Sequence, residues 1–135
     1  MRTFLTTARH SRWRWLLVPT LLAAAAAHLP VIPEHLAEAP YMGALFITLS
    51  AGCVILAATL ISFDSTLVYA LAITTCALAI TGYLATRMVA FPMLADDVGN
   101  WTEPLGVVSI SVEFVALLAA ATAVRGTARP ARLAA

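Results

Sequence analysis

Long, almost uninterrupted apolar stretches dominate the chain, and they predict membrane-spanning helices. A bilayer core about 30 Å thick requires about 20 apolar residues in a helix, and three stretches meet that length. A fourth, residues 15–29, is shorter and contains Pro19, which a helix in a membrane tolerates as a kink. The sequence therefore predicts an all-α membrane protein, a bundle of four transmembrane helices over residues 15–29, 42–61, 67–88 and 104–124.

Polar residues between these stretches predict where the later helices begin. Only a few residues separate the second and third helices, so these two should form a tight antiparallel hairpin, with Asp64 or Ser65 capping the third helix. Thr102 is the predicted cap of the fourth helix. Glu103 and Pro104 would lie in its first turn, where a carboxylate suits the helix dipole and proline loses no needed N–H.

Composition agrees with a lipid environment. Of the 135 residues, 61% are hydrophobic and 11% charged, whereas a soluble domain carries about 25% charged residues. In water such a chain would expose a large apolar surface and aggregate. A net charge of +1 gives no basic surface for a nucleic-acid partner.

The distribution of arginine predicts the orientation. All eight basic residues are arginine, and seven lie outside the four helices, at the two ends of the chain. Loops 30–41 and 91–103 contain neither arginine nor lysine, so the positive-inside rule places these loops outside and both termini in the cytoplasm. Residues 1–14 and 125–135 are then basic cytoplasmic segments. Arginine and alanine without lysine indicate a GC-rich bacterial genome, and hence the plasma membrane.

Residues 1–27 allow a second interpretation. An arginine-rich start, an apolar stretch and the run Ala25–Ala27 also fit a cleaved signal peptide. Cleavage would leave three helices with the same sidedness. His28 would then become the N-terminal residue, whose amino group and imidazole could chelate copper.

Acidic and histidine side chains collect in the two loops that are predicted to face outward. Pro33 can begin a short helix, which places Glu34 and Glu38 four residues apart on one side, with His35 beside them. Repulsion among carboxylates favours binding of a cation, and carboxylate with imidazole suits zinc, manganese, iron or oxidised copper. The predicted metal ligands are His28, Glu34, His35, Glu38, Asp96, Asp97, Glu103 and Glu113.

Glu113 is the singular charged residue of the fourth helix. At about 1.5 Å per residue it lies about 13 Å from the start of that helix, a depth at which a carboxylate must be protonated, paired or hydrated. It belongs to a stripe of small residues that predicts burial between helices, where Glu113 would serve as a proton or cation relay or as a ligand. The structural alternative is a hydrogen bond to Ser or Thr, or an ion pair with Arg87. Similar stripes occur on the third helix (Thr75, Ala79, Gly82, Thr86) and the second (Ala44, Thr48, Gly52).

Cys53 and Cys76 each lie about ten residues into a predicted helix, near the midplane. They could form a soft-metal pair with Met42 or Met88 nearby. The alternative is that both are inert small residues of a buried core.

Three stretches together resemble a group of small four-helix actinobacterial membrane proteins. They are His28–Glu38 (HLPVIPEHLAE), Arg87 with Pro92, and Glu103-Pro104-Leu105-Gly106 leading to Glu113. The resemblance implies a protein of the cell envelope and brings no known activity.

The leading functional prediction is a non-enzymatic membrane protein with a cation-binding or metal-binding outer face. A strict metal motif such as HExxH is absent from the sequence, so solvated loop acids are the plain alternative. An accessory or assembly subunit of a larger membrane complex is the second prediction, and a homo-oligomer is compatible with either. The third is a small membrane enzyme that uses Glu113 and His28 as acid and base.

Overall fold

The computed structural model describes residues 11–125, which form helices joined by short connections. Four segments are long and apolar enough to cross a membrane. The first of them contains two α-helices separated by a short 3-10 turn. The α-helices are α1 (Arg14–His28), α2 (Ile32–Glu38), α3 (Pro40–Ser62), α4 (Thr66–Met88) and α5 (Pro104–Arg125), and the 3-10 turns are Leu29–Val31 and Ala95–Asp97.

The observed bounds of the four long helices lie within two residues of those expected from the apolar stretches. The first segment differs beyond its α-helix, because Pro30 and Pro33 begin new helical turns and the chain stays helical to Glu38. It ends at Ala39, whose φ of −137° and ψ of 81° leave the helical region. A residue that precedes a proline, here Pro40, disfavours the helical conformation. His28 therefore lies in the middle of a 25-residue apolar segment instead of near the end of the predicted helix 15–29.

Alanine-rich faces hold the bundle together. Helix α1 packs against α3 and α5, and α5 also packs against α4. Small residues let these backbones approach closely, as is common between helices in membranes. The pair α3 and α4 packs least among these neighbours, although only a short connection joins the two helices. The larger fully buried side chains are Leu17, Leu21, Leu60 and Tyr69.

Side chains cap two of the helices. The Ser65 hydroxyl accepts a hydrogen bond from the Val68 amide at 3.4 Å, as expected from the sequence. At the start of α5 the Glu103 carboxylate accepts from the amides of Leu105 and Gly106, at 3.1 and 2.6 Å. The expectation that Thr102 caps α5 was wrong, because Glu103 is the residue directly before Pro104 and its carboxylate reaches the free amides of the first turn.

Asp64 does not cap α4 but joins three parts of the chain. Its carboxylate accepts hydrogen bonds from the Ser11 amide and the Tyr69 hydroxyl, both at 2.8 Å. Arg14 Nη1 lies 3.9 Å from Asp64 Oδ2. We call Ser11, Arg14, Asp64 and Tyr69 the Asp64 cluster. It ties the start of α1 to the connection between α3 and α4.

The arginine-rich segments of the sequence lie mostly outside the described residues. Arg2 and Arg9 belong to residues 1–10, and Arg129 and Arg132 to residues 126–135.

Candidate functional site

All eight predicted ligand residues line one cavity of about 930 Å³. It extends from the residues around Glu34 and Asp96 down to Glu113 in α5. We call it the acidic cavity, because six of the seven acidic residues of the chain contribute to its lining. Arg87 is the arginine that lines the same cavity.

The acidic cavity continues between α3 and α4, where helix packing is weakest. Its wall on α3 runs from Tyr41 to Gly52, which is about 16 Å at about 1.5 Å per residue. Its wall on α4 runs from Thr75 to Arg87. We call this extension the α3–α4 gap.

Small residues keep the α3–α4 gap open. Within residues 11–125, a Cβ atom added at Gly52 or Gly82 would have no atom of another helix within 4 Å. No large side chain from the opposite helix fills the space beside these two glycines, so α3 and α4 do not pack closely along their stripes there. The stripe residues that line the cavity are Thr48, Gly52, Thr75, Ala79, Gly82 and Thr86.

Glu113, His28 and Ser109 form the floor of the acidic cavity. Their exposed fractions are 2%, 5% and 8%. Glu113 Oε1 lies 3.3 Å from His28 Nε2 and 3.2 Å from the Ser109 hydroxyl. The same hydroxyl lies 3.3 Å from His28 Nδ1. The stripe of small residues on α5 thus directs Glu113 inward, and the extended first segment brings His28 to the same level.

This floor cluster can hold its protons in more than one arrangement. With a neutral imidazole, Nε2–H donates to Glu113 and the Ser109 hydroxyl donates to either neighbour. With both ring nitrogens protonated, His28 donates to Glu113 and Ser109, and Ser109 donates to Glu113. Both arrangements satisfy every polar hydrogen of the cluster, so it is chemically suited to exchange a proton without leaving an unpaired group inside the bundle.

Arg87 pairs with the connection between α4 and α5, and the expected ion pair with Glu113 does not form. Arg87 Nη1 lies 2.6 Å from Asp97 Oδ1, and Nη2 lies 3.8 Å from Glu103 Oε2. The guanidinium also stacks on the Tyr83 ring at 4.8 Å. The reason is position along the helices: Arg87 is the penultimate residue of α4 and reaches the adjacent connection, whereas Glu113 lies nine residues inside α5.

The other three acids of the cavity carry uncompensated charge, and we call them the outer acids because they lie at the end of the cavity away from Glu113. Glu34, Glu38 and Asp96 line the cavity and form no ion pair with any residue of the range 11–125. Nearby, His35 Nδ1 donates to the Val31 carbonyl at 2.9 Å. In a neutral His35 ring whose proton is on Nδ1, Nε2 carries the lone pair and can accept a hydrogen bond.

Aromatic side chains, which sequence reasoning missed, complete the walls of the cavity. Phe46 lies edge-to-face between His28 and His35, at centroid distances of 5.1 and 4.9 Å. Tyr41 donates a hydrogen bond to the Pro92 carbonyl at 2.7 Å. The sequence signal was the placement of aromatic residues beside acid-rich segments, but their convergence depends on tertiary packing.

The predicted ligands share a cavity without forming a coordination cluster. Within residues 11–125, no three His, Cys, Asp or Glu side chains are grouped closely enough to hold a metal ion. Cys53 and Cys76 are both buried in the core, while Met88 is 69% exposed. A soft-metal site at the two cysteines therefore stays a prediction without a matching set of ligands.

Comparison with known proteins yields no match among protein-family models, curated proteins or solved structures. The chemistry of the acidic cavity is therefore the basis on which a function can be inferred.

Proposed function

We propose that this multi-pass protein lies in a bacterial plasma membrane and binds a cation in the acidic cavity, on the extracytoplasmic side. The observation that carries the proposal is the convergence of six carboxylates and two histidines on one cavity, against a single guanidinium. Clefts lined by one sign of charge, with low-dielectric walls, concentrate counter-ions.

In this proposal the four spans are antiparallel, both termini are cytoplasmic, and the first span is retained instead of being cleaved. Support comes from the arginine-rich ends of the chain and the arginine-free loops. Retention is supported by the packing of α1, whose Leu17 and Leu21 are fully buried. Helix α1 also contributes His28 to the floor of the cavity and Arg14 to the Asp64 cluster.

The proposed cation is held by charge and hydrogen bonds across the cavity. Direct coordination of zinc requires about four ligands close together, which the grouping of side chains in residues 11–125 does not supply. A metal ion would therefore keep much of its water, as hard cations bound by few carboxylates do. An organic ammonium ion would need no coordination geometry at all.

Two probe cations test the proposal on protein purified in a nonionic detergent. Binding of Mn²⁺ is measured from the electron paramagnetic resonance signal of the free ion, and binding of tetramethylammonium by calorimetry. The test variant is Glu34→Gln/Glu38→Gln, and the charge-preserving control is Glu34→Asp/Glu38→Asp. Saturable binding of either probe that the Gln variant weakens and the Asp variant retains supports the proposal. If neither probe binds, or the Gln variant binds as well as wild type, the proposal is overturned.

A second candidate function is proton transfer by Glu113 and His28, either as a relay coupled to the cation or as acid and base in a small enzyme. The contact between Glu113 and His28 favours it. In weakly buffered solution, cation addition should release protons from wild type and fewer from Glu113→Gln, with Ser111→Ala as a control on the exposed face of α5. Equal release from all three proteins would rule out this role for Glu113.

The accessory-subunit interpretation stays a prediction. It is tested by co-purification of a partner in mild detergent, and a monodisperse monomer would count against it.

A further inference from the structure

The α3–α4 gap differs in chemistry from the rest of the acidic cavity. Leu45, Leu49 and Leu78 line it, and Leu45 and Leu78 are 57% and 68% exposed at its rim. The Thr48 hydroxyl donates to the Ala44 carbonyl of its own helix at 2.8 Å, so it offers no unpaired donor to the gap. The gap is therefore a mainly apolar slot, with Thr75 as its further hydroxyl, that opens at the side of the bundle and leads to the acidic cavity.

The position of this slot restricts what can occupy it. Both walls belong to helices long and apolar enough to cross a membrane, so the open side of the slot faces hydrocarbon. Water needs two to four polar partners to remain in such a space. The Thr48 and Thr86 hydroxyls already donate to carbonyls of their own helices, so the walls of the slot leave mainly the Thr75 hydroxyl to bind water. An alkyl chain suits the slot, because lipid chains are as apolar as the leucine side chains that line it.

The part of the cavity near Glu34 and Asp96 favours a positively charged group at the other end of a molecule whose alkyl chain lies in the slot. Glu34, Glu38 and Asp96 provide negative charge without a cationic partner among residues 11–125. Four aromatic residues line the cavity, and they are Tyr41, Phe46, Tyr83 and Phe91. Aromatic faces together with carboxylates are the groups that recognise quaternary ammonium ions.

We propose that the acidic cavity and the α3–α4 gap together bind a membrane-resident amphiphile with an ammonium head and an alkyl chain. The head lies among the outer carboxylates and aromatic rings, and the chain leaves through the gap into the bilayer. The cavity volume of about 930 Å³ lies within the range of about 300–1,000 Å³ of small-molecule sites. This inference rests on the proposed cation-binding function and names the class of its ligand.

The test compares a cation with and without a chain, on full-length protein in lipid nanodiscs. The probes are tetramethylammonium and decyltrimethylammonium, and uptake by empty nanodiscs is subtracted. The variant Gly52→Leu/Gly82→Leu fills the gap at positions where an added Cβ meets no described atom within 4 Å. The matched control is Ala51→Leu, since Ala51 is exposed and does not line the cavity.

Occlusion of the gap should lower the affinity for decyltrimethylammonium by about tenfold or more, because the two leucine side chains would occupy the space through which the alkyl chain leaves the cavity, and a steric clash of this kind is typically worth that much. Tetramethylammonium should bind the glycine variant within about twofold of wild type, by the same scale. The Ala51→Leu protein should bind both probes as wild type does. Equal loss of both probes in the glycine variant would overturn the inference.

A second measurement uses the wild-type protein and therefore does not depend on whether the glycine variant folds. A decyl ammonium probe with a photoreactive group at the end of its chain is cross-linked to the wild-type protein. Labelling should concentrate on the walls of the gap, around residues 45–52 and 75–82, and excess tetramethylammonium should reduce it. Labelling spread equally over lipid-facing residues such as Phe114 and Leu118 would overturn the inference.

If tetramethylammonium or Mn²⁺ binds while the alkyl chain of the probe has no preferred position, the inference fails and the proposed function stands. If no cation binds, both fail.

Discussion

The Asp64 cluster and the acidic cavity contain similar residue types in opposite arrangements. In the Asp64 cluster one buried carboxylate contacts an amide, a phenol and a guanidinium, and both of its oxygens are used. In the acidic cavity six carboxylates face a space of about 930 Å³ with one guanidinium among them. The first arrangement is closed and balanced in charge. The second is open and strongly negative.

The difference separates a polar group that stabilises the bundle from one that is available to a ligand. A buried carboxylate whose oxygens are all used has no capacity for another partner, and its removal leaves the partners unpaired. Unpaired carboxylates beside a cavity repel one another and do not stabilise the fold. Substitutions in the two regions should therefore affect different quantities: stability at the Asp64 cluster, and ligand affinity at the outer acids.

The largest expected effect is the loss of stability in Asp64→Ala. Tyr69 and Arg14 would lose their common acceptor, so the free energy of unfolding should fall by about 3 kcal/mol. Thermal unfolding in detergent measures this. Asp64→Asn keeps an acceptor for Ser11 and Tyr69 and should lose less. A melting temperature unchanged in Asp64→Ala would show that the cluster does not hold the start of α1.

Arg87→Met should have the next largest effect on stability. Asp97 and Glu103 would lose their partner, at a cost of about 2 kcal/mol for an ion pair that is buried on one side. The connection between α4 and α5 should become less protected in hydrogen exchange, starting at Gly99, whose amide donates to the Arg87 carbonyl. Protection equal to wild type in this connection would mean that its backbone bonds suffice without the guanidinium.

Two glycines distinguish a packed site from the open gap. A Cβ added at Gly106 would lie 2.5 Å from the Tyr83 ring and 2.6 Å from the Glu103 carboxylate, so Gly106→Ala should destabilise the protein by about 1–3 kcal/mol. Gly82→Ala has no such contact and should stabilise α4 by about 0.5–1 kcal/mol. Opposite shifts in melting temperature are expected. A loss of stability in Gly82→Ala would show that the gap is closed.

The smallest effect on stability is expected for the outer acids. Glu34→Gln and Glu38→Gln replace exposed side chains, so each should change the free energy of unfolding by less than about 0.5 kcal/mol. Each should nevertheless weaken cation binding by about twofold to threefold, the size of one screened charge interaction. If the substitutions lower the stability and leave the affinity for the cation unchanged, these residues stabilise the fold and do not bind the cation.

The helices were predictable from the sequence because each apolar stretch has the length of a membrane span, and the orientation of Glu113 followed from the small residues around it. The partner of Glu113 was not predictable from the sequence. The apolar stretch predicts a first helix that ends at residue 29, one residue after His28, but the segment remains helical to Glu38. That continuation brings His28 beside Glu113, while Arg87 turns to Asp97.

The sequence predicted that the candidate ligands lie in one region of the protein, but it did not predict the distances between them. The loops that lack arginine gather the acids and histidines, and all eight predicted residues line one cavity. The α3–α4 gap was not predictable, because stripes of small residues occur both where helices touch and where they separate. Only the packing around Gly52 and Gly106 distinguishes the two cases.

The most direct test of the central claim is the binding of a cation to the wild-type protein and to Glu34→Gln/Glu38→Gln/Asp96→Asn, which neutralises the three unpaired outer acids. Tetramethylammonium or Mn²⁺ should bind the wild-type protein saturably, and both added salt and the triple substitution should weaken this binding. The wild-type protein and the triple variant should have the same melting temperature. Absence of saturable binding to the folded wild-type protein, or identical binding by the triple variant, would contradict the central claim.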